Sequence, residues 1–111
     1  MITKEYIEKL MADNAKHINN YKERLEDNFL GNFEWVAEKI FKALWKDKIY
    51  EHIYGIYNEE DADVPQAIER LKTRYKEDLI SRTLMSSSTN PIHNLTTLWI
   101  SECKQELLEE L

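Results

Sequence analysis

Residues that interrupt helices are scarce in this chain. Its 111 residues include only two glycines and two prolines. A β-rich domain of this length needs many more turn-forming residues at short spacing, because each strand ends in a turn. The scarcity therefore predicts an all-α fold, and apolar residues at helical spacing divide the chain into four main helices. We place these helices at about 4–30, 32–57, 64–85 and 91–109.

Capping residues define the predicted helix ends. The hydroxyl of Thr3 can accept a hydrogen bond from an N–H of the first turn. Gly31 is predicted to end the first helix in a left-handed conformation, and Asn32 to cap the second helix. Asp63 and Asn90 each precede a proline-containing first turn, which is typical of a helix start. Polar residues 86–89 are predicted to connect the last two helices.

Each predicted helix has apolar residues spaced by three or four positions, as on one face of a helix. These stripes run from Ile7 to Phe29 in the first helix and from Ile92 to Leu107 in the fourth. A chain of this length can bury one core, so we expect a compact four-helix bundle and a single domain over residues 1–111. In the second helix, the residues predicted to enter this core are Phe33, Ala37, Ile40, Phe41 and Leu44.

The second helix has more large apolar side chains than one face can hold. A second set lies on the far side of its axis. One explanation is that this helix is central in the bundle, or bends near residues 46–48, so that both faces are buried. The other is an interface, since aromatic residues are enriched in interface hot spots. On that second interpretation, the predicted partner-binding residues are Trp35, Trp45, Ile49, Tyr50, Ile53, Tyr54, Ile56 and Tyr57.

The charge is acidic overall and unevenly distributed. The chain has 15 Lys and Arg against 21 Asp and Glu, a formal net charge of -6. Residues 58–64 contain four acids and no base, which predicts a solvated loop. The third predicted helix is the only basic one. It could meet the phosphates of a nucleic acid through Arg70 and Arg74, although the negative charge of the whole molecule argues against this.

The sequence lacks the motifs of common catalytic and metal sites. Its three histidines and one cysteine do not form a Glu-x-x-His, His-x-x-x-His or Cys-x-x-Cys pattern. The two glycines are too far apart for a phosphate-binding loop. Cys103 is expected to be a small apolar core residue. We therefore predict that the protein is not an enzyme and that it binds no metal and no cofactor.

Composition also predicts where the protein resides and what it binds. No apolar stretch approaches the roughly 20 residues of a membrane span. The single cysteine cannot pair within the chain, and the pattern of a secretory leader is not seen, so secretion is not expected. We expect a cytoplasmic protein without membrane contact.

The predicted function is that of a small acidic interaction module: a regulatory subunit, an adaptor or an inhibitor. Its second helix would bind a partner protein or a second copy, giving a homo-oligomer. The alternatives are a nucleic-acid-associated regulator that uses the third helix, and an acidic decoy inhibitor of a nucleic-acid-binding enzyme, whose acidic loop stands in for phosphates.

Overall fold

A computed structural model describes residues 2–84 and 90–111, without the side chains of residues 82–84. Within those residues the chain forms four α-helices and no strand, so the predicted all-α class is confirmed. The predicted polar connection at residues 86–89 lies outside the described residues. The helices are α1 (Lys4–Asp27), α2 (Phe29–Tyr57), α3 (Val64–Leu84) and α4 (Pro91–Glu110).

Three of the predicted N-caps are confirmed. The Thr3 hydroxyl accepts a hydrogen bond from the Tyr6 N–H at 3.1 Å. The Asp63 carboxylate accepts one from the Gln66 N–H at 3.2 Å. The side-chain oxygen of Asn90 accepts from two N–H groups in the first turn of α4. These side chains satisfy N–H groups that have no partner within the helix.

The junction between α1 and α2 differs from the prediction. A single residue, Asn28, separates the two helices, with φ -151° and ψ 84°. Its backbone N–H donates to the Arg24 carbonyl at 3.3 Å, and its side-chain oxygen accepts from the Gly31 N–H at 3.0 Å. The Asn32 side chain donates to the same Arg24 carbonyl at 2.7 Å. Gly31 therefore lies in the first turn of α2, without positive φ, because Asn28 already ends one helix and caps the next.

The unit Met1–Glu59 contains α1 and α2 as an antiparallel hairpin. At its open end, the Tyr57 hydroxyl donates to the Ile2 carbonyl at 2.8 Å, and the Lys4 ammonium donates to the Asn58 side chain at 2.9 Å. α2 is one continuous helix, so the bend considered for residues 46–48 is not confirmed. The buried apolar residues of this hairpin are Ile7, Ile18, Val36, Ala43, Tyr50 and Ile53.

The unit Glu60–Leu111 contains α3 and α4, which also pack against each other. Its buried residues are Ile68, Tyr75, Cys103 and Leu107. The expected burial of Cys103 is confirmed. A single domain over residues 1–111 stays a prediction.

Two predicted stripes extend further than the buried faces. Phe29 belongs to α2 instead of α1 and is exposed. In α4, Ile92 and Leu95 are also exposed, although both were predicted to lie on the apolar face. A neighbouring helix covers only the part of a stripe that lies toward it, which leaves these residues open to solvent.

Candidate interaction surface

α2 meets α1 along residues that recur every seven positions. Val36, Ala43 and Tyr50 are buried, and Ile53 continues the same face. The Asn14 side-chain amide of α1 donates to the Ala43 carbonyl at 2.8 Å, which places this polar residue within the helix interface. We call Val36, Ala43, Tyr50 and Ile53 the seam. The seven-residue spacing is typical of two helices that pack with a small crossing angle.

The face of α2 that was predicted to be core lies on a different side of the helix from the seam. We define the outer stripe as Leu30, Phe33, Ala37, Phe41 and Leu44. At about 100° per residue, its members fall within an arc of about 80°, centred about 140° from the seam. Leu30, Phe33 and Leu44 are 89%, 52% and 45% exposed, so the prediction that Phe33 and Leu44 enter the core is wrong. In a two-helix unit, α1 can cover only one side of α2.

The junction end of the outer stripe is the most exposed apolar region of the hairpin. Phe29 is 56% exposed, and its ring lies 5.3 Å from the ring of Phe33 in a tilted arrangement. Leu30 extends beside them with most of its surface in solvent. Scattered exposed apolar residues are common on proteins, but a contiguous group is typical of a binding surface.

The eight residues predicted to bind a partner do not form one surface. Tyr50 and Ile53 are buried in the seam. At the open end, the Lys4 ammonium lies 5.1 Å from the centre of the Tyr54 ring, beside the Tyr57 hydrogen bond to Ile2. The remaining four predicted residues are at least partly exposed: Trp35, Trp45, Ile49 and Ile56.

Trp35 is the predicted site residue with the most exposed side chain, at 43%. It packs on α1, because its ring meets that of Tyr21 edge to face at 5.6 Å. The Arg24 guanidinium lies 5.5 Å from the centre of the Trp35 ring. The His17 ring stacks on that of Tyr21, with ring centres 6.2 Å apart. These contacts hold one face of the indole against α1 and leave the rest accessible.

Burial perturbs the ionisation of Tyr57, one of the predicted site residues. Burial raises the pKa of its hydroxyl above the ordinary value, and the charge of Glu5 raises it further. The neutral hydroxyl is the form that donates to the Ile2 carbonyl. Tyr57 therefore fastens the start of α1 to the end of α2.

The second hairpin carries a charged group above a buried ring. The Lys104 ammonium pairs with the Asp78 carboxylate at 2.9 Å and lies 5.7 Å from the centre of the Tyr75 ring. Burial raises the pKa of Tyr75 to about 12, against an opposing effect of the Arg74 charge and a reinforcing one of Asp78. This arrangement ties α3 to α4.

The basic face of α3 is only partly available. Arg70 and Arg74 are exposed, as a nucleic-acid surface would require. The Lys72 ammonium, however, lies 3.6 Å from the Glu69 carboxylate of the same helix. An acidic neighbour reduces the positive field that a phosphate would meet.

Metal-binding clusters and membrane-spanning helices are both absent from the part of the chain that the structure describes. Among residues 2–84 and 90–111, no three histidine, cysteine, aspartate or glutamate side chains come together so as to hold a metal ion. Over the same residues, no helix combines the length and the apolar character that crossing a membrane requires.

Sequence reasoning missed the exposure of the outer stripe. The signal that could have found it is the repeat of Val36, Ala43 and Tyr50 at seven-residue intervals, which matches the interval between Ile7, Asn14 and Tyr21 in α1.

The chain matches no protein-family model, no curated protein and no solved structure.

Proposed function

We propose that this protein is a non-enzymatic interaction module that binds protein through the exposed side of α2. One observation carries the proposal: α2 has an apolar outer stripe in addition to the seam that packs on α1. The free energy gained by removing apolar surface from water drives most protein association. A long helix whose apolar side is exposed at Leu30, Phe33 and Leu44 therefore favours a binding partner that covers it.

The proposed surface combines part of the predicted site with the outer stripe. Phe33 and Leu44 supply the outer side, and Trp35 supplies an aromatic ring whose other face is fixed on α1. A ring held in place loses little conformational freedom when a partner covers it. Aromatic residues of this kind contribute most in interfaces when they are surrounded by well-packed neighbours.

The proposal is tested by photo-crosslinking in cells that express the chain. A photo-reactive phenylalanine analogue at position 33 should form covalent adducts with a protein, because Phe33 lies within the proposed surface. The matched control carries the analogue at Lys16, an exposed position of α1. Adducts at both positions alike, or at neither, would overturn the proposal.

The mass of the adduct identifies the type of partner. An adduct of twice the 13.3 kDa of the chain indicates a second copy, whereas any other mass indicates a different protein. Either result supports an interaction module.

A further inference from the structure

The order and spacing of the residue types in the outer stripe are the same in both directions along α2. Its residues are Leu, Phe, Ala, Phe and Leu, separated by three, four, four and three positions, with Ala37 at the centre. The spacing places all five on one side of the helix. The three whose exposure is greatest, Leu30, Phe33 and Leu44, lie toward its two ends.

A stripe with this symmetry is complementary to itself. When two copies of α2 lie antiparallel about a two-fold axis through Ala37, Leu30 of each copy faces Leu44 of the other. Phe33 likewise faces Phe41, and the small Ala37 meets its counterpart where the helices cross. Two-fold dimers are the most common protein oligomers, and in their interfaces a contact of residue i with residue j of the other copy is always repeated as a contact of j with i.

Charge at the ends of the stripe agrees with the antiparallel arrangement. Lys48 lies one turn beyond Leu44 and is exposed. In the antiparallel pair, Lys48 extends toward the α1–α2 junction of the other copy, where α1 ends in the exposed acids Glu26 and Asp27. Each end of the interface would therefore bring Lys48 toward an acidic helix end, which favours this orientation more than it adds affinity.

Resting on the proposed function, we infer that the partner of the outer stripe is a second copy of this chain, bound as an antiparallel α2 pair. The exposed parts of Phe29, Leu30, Phe33 and Leu44 amount to about 400 Å² per copy at ordinary side-chain areas. The dimer would bury about 800 Å² of apolar surface, before its polar rim is counted. Because this lies below the about 1,200 Å² at which stable specific interfaces begin, the dimer is a weak one and should dissociate on dilution.

The test measures the mass of the full chain by light scattering between about 1 µM and about 1 mM, the range expected for a weak interface. We expect twice the 13.3 kDa of the chain at high concentration and a fall toward one chain on dilution. Leu30→Glu and Leu44→Lys should each abolish the dimer. The double variant should restore it, because the introduced opposite charges face each other twice. Circular dichroism checks that each variant keeps its helices.

The matched control is Ile80→Glu, which places the same charge at a 63% exposed aliphatic position of α3. It should dimerise like the unchanged chain. A dimer that survives Leu30→Glu, or a double variant that stays monomeric, overturns the antiparallel pairing. An unchanged chain that is monomeric throughout overturns self-association. Crosslinking of Phe33 to a different protein would then leave the proposed function standing.

Discussion

In the α1–α2 hairpin a neutral amide, that of Asn14, reaches across the interface to a backbone carbonyl. In the α3–α4 hairpin an ammonium group, that of Lys104, bridges the helices to Asp78 above the ring of Tyr75. The amide contact does not change with pH. The contact of Lys104 depends on two charges, and the ring below it is a titratable phenol. Two helical hairpins of similar topology should therefore respond differently to solution conditions.

The largest expected effect comes from the fully buried apolar side chains that both hairpins contain. Ile53→Ala in the first and Leu107→Ala in the second each remove a fully buried side chain. Each should lower the free energy of unfolding by about 2–5 kcal/mol through lost burial and a residual cavity. Denaturant unfolding measures the loss. Ile80→Ala, at an exposed position, should change stability by less than about 0.5 kcal/mol. Equal losses at the buried and exposed positions would contradict the burial assignment.

The next effect is a loss of stability at alkaline pH, which the raised pKa of Tyr57 causes in the first hairpin and that of Tyr75 in the second. The pKa of Tyr75 is raised from 10.0 to about 12, so between these values the folded state retains a proton that the unfolded state has lost. The contribution of this proton to the free energy of unfolding is fully present below pH 10. It is lost as the pH rises toward 12, which should lower the free energy of unfolding by at most about 2–3 kcal/mol. Amide exchange of α3 and α4 against pH measures this loss.

Two variants sharpen the assignment to Tyr75. Tyr75→Phe removes the ionisable group and should remove most of the pH dependence. Tyr6→Phe, at an exposed position of α1, should leave it in place. An unchanged slope in Tyr75→Phe would show that another group dominates the alkaline transition.

The smallest expected effects come from the two glycines of α2 and have opposite signs. A Cβ at Gly31 would lie 2.5 Å from the side-chain nitrogen of Asn28, whereas one at Gly55 would meet nothing within 4 Å. Gly31→Ala should displace the cap and lower stability by about 1 kcal/mol. Gly55→Ala should raise it by about 0.5–1 kcal/mol, because alanine loses less backbone entropy in a helix. Thermal unfolding of both variants measures the difference, and changes of the same sign would contradict the proposed cap.

Much of the fold could be predicted because the helix ends depend on local chemistry. Thr3, Asp63 and Asn90 cap the helices where their sequence context predicts. The α1–α2 junction was predicted three residues too late, because two asparagines and a glycine lie close together and each can end or begin a helix. Only the turn geometry, in which Asn28 bonds to Gly31, decides among them.

The candidate site was harder to predict because α2 is apolar on several sides. Spacing by three or four residues identifies an apolar face but does not say whether that face meets a neighbour. The exposed Phe33 and the buried Val36 differ little in apolar character, and only the packing of α1 distinguishes them. Sequence patterns thus located the unusual helix but assigned Phe33 and Leu44 to the core and the buried Ile53 to the surface.

Asn28 controls more than the reversal of the chain. Because each helical residue turns the side chains by about 100°, moving the break by one position would rotate α2 about its axis before it meets α1. The helix would then present a different set of side chains to its neighbour. A one-residue insertion or deletion at this point would change which side of α2 is concealed while leaving every other residue unaltered.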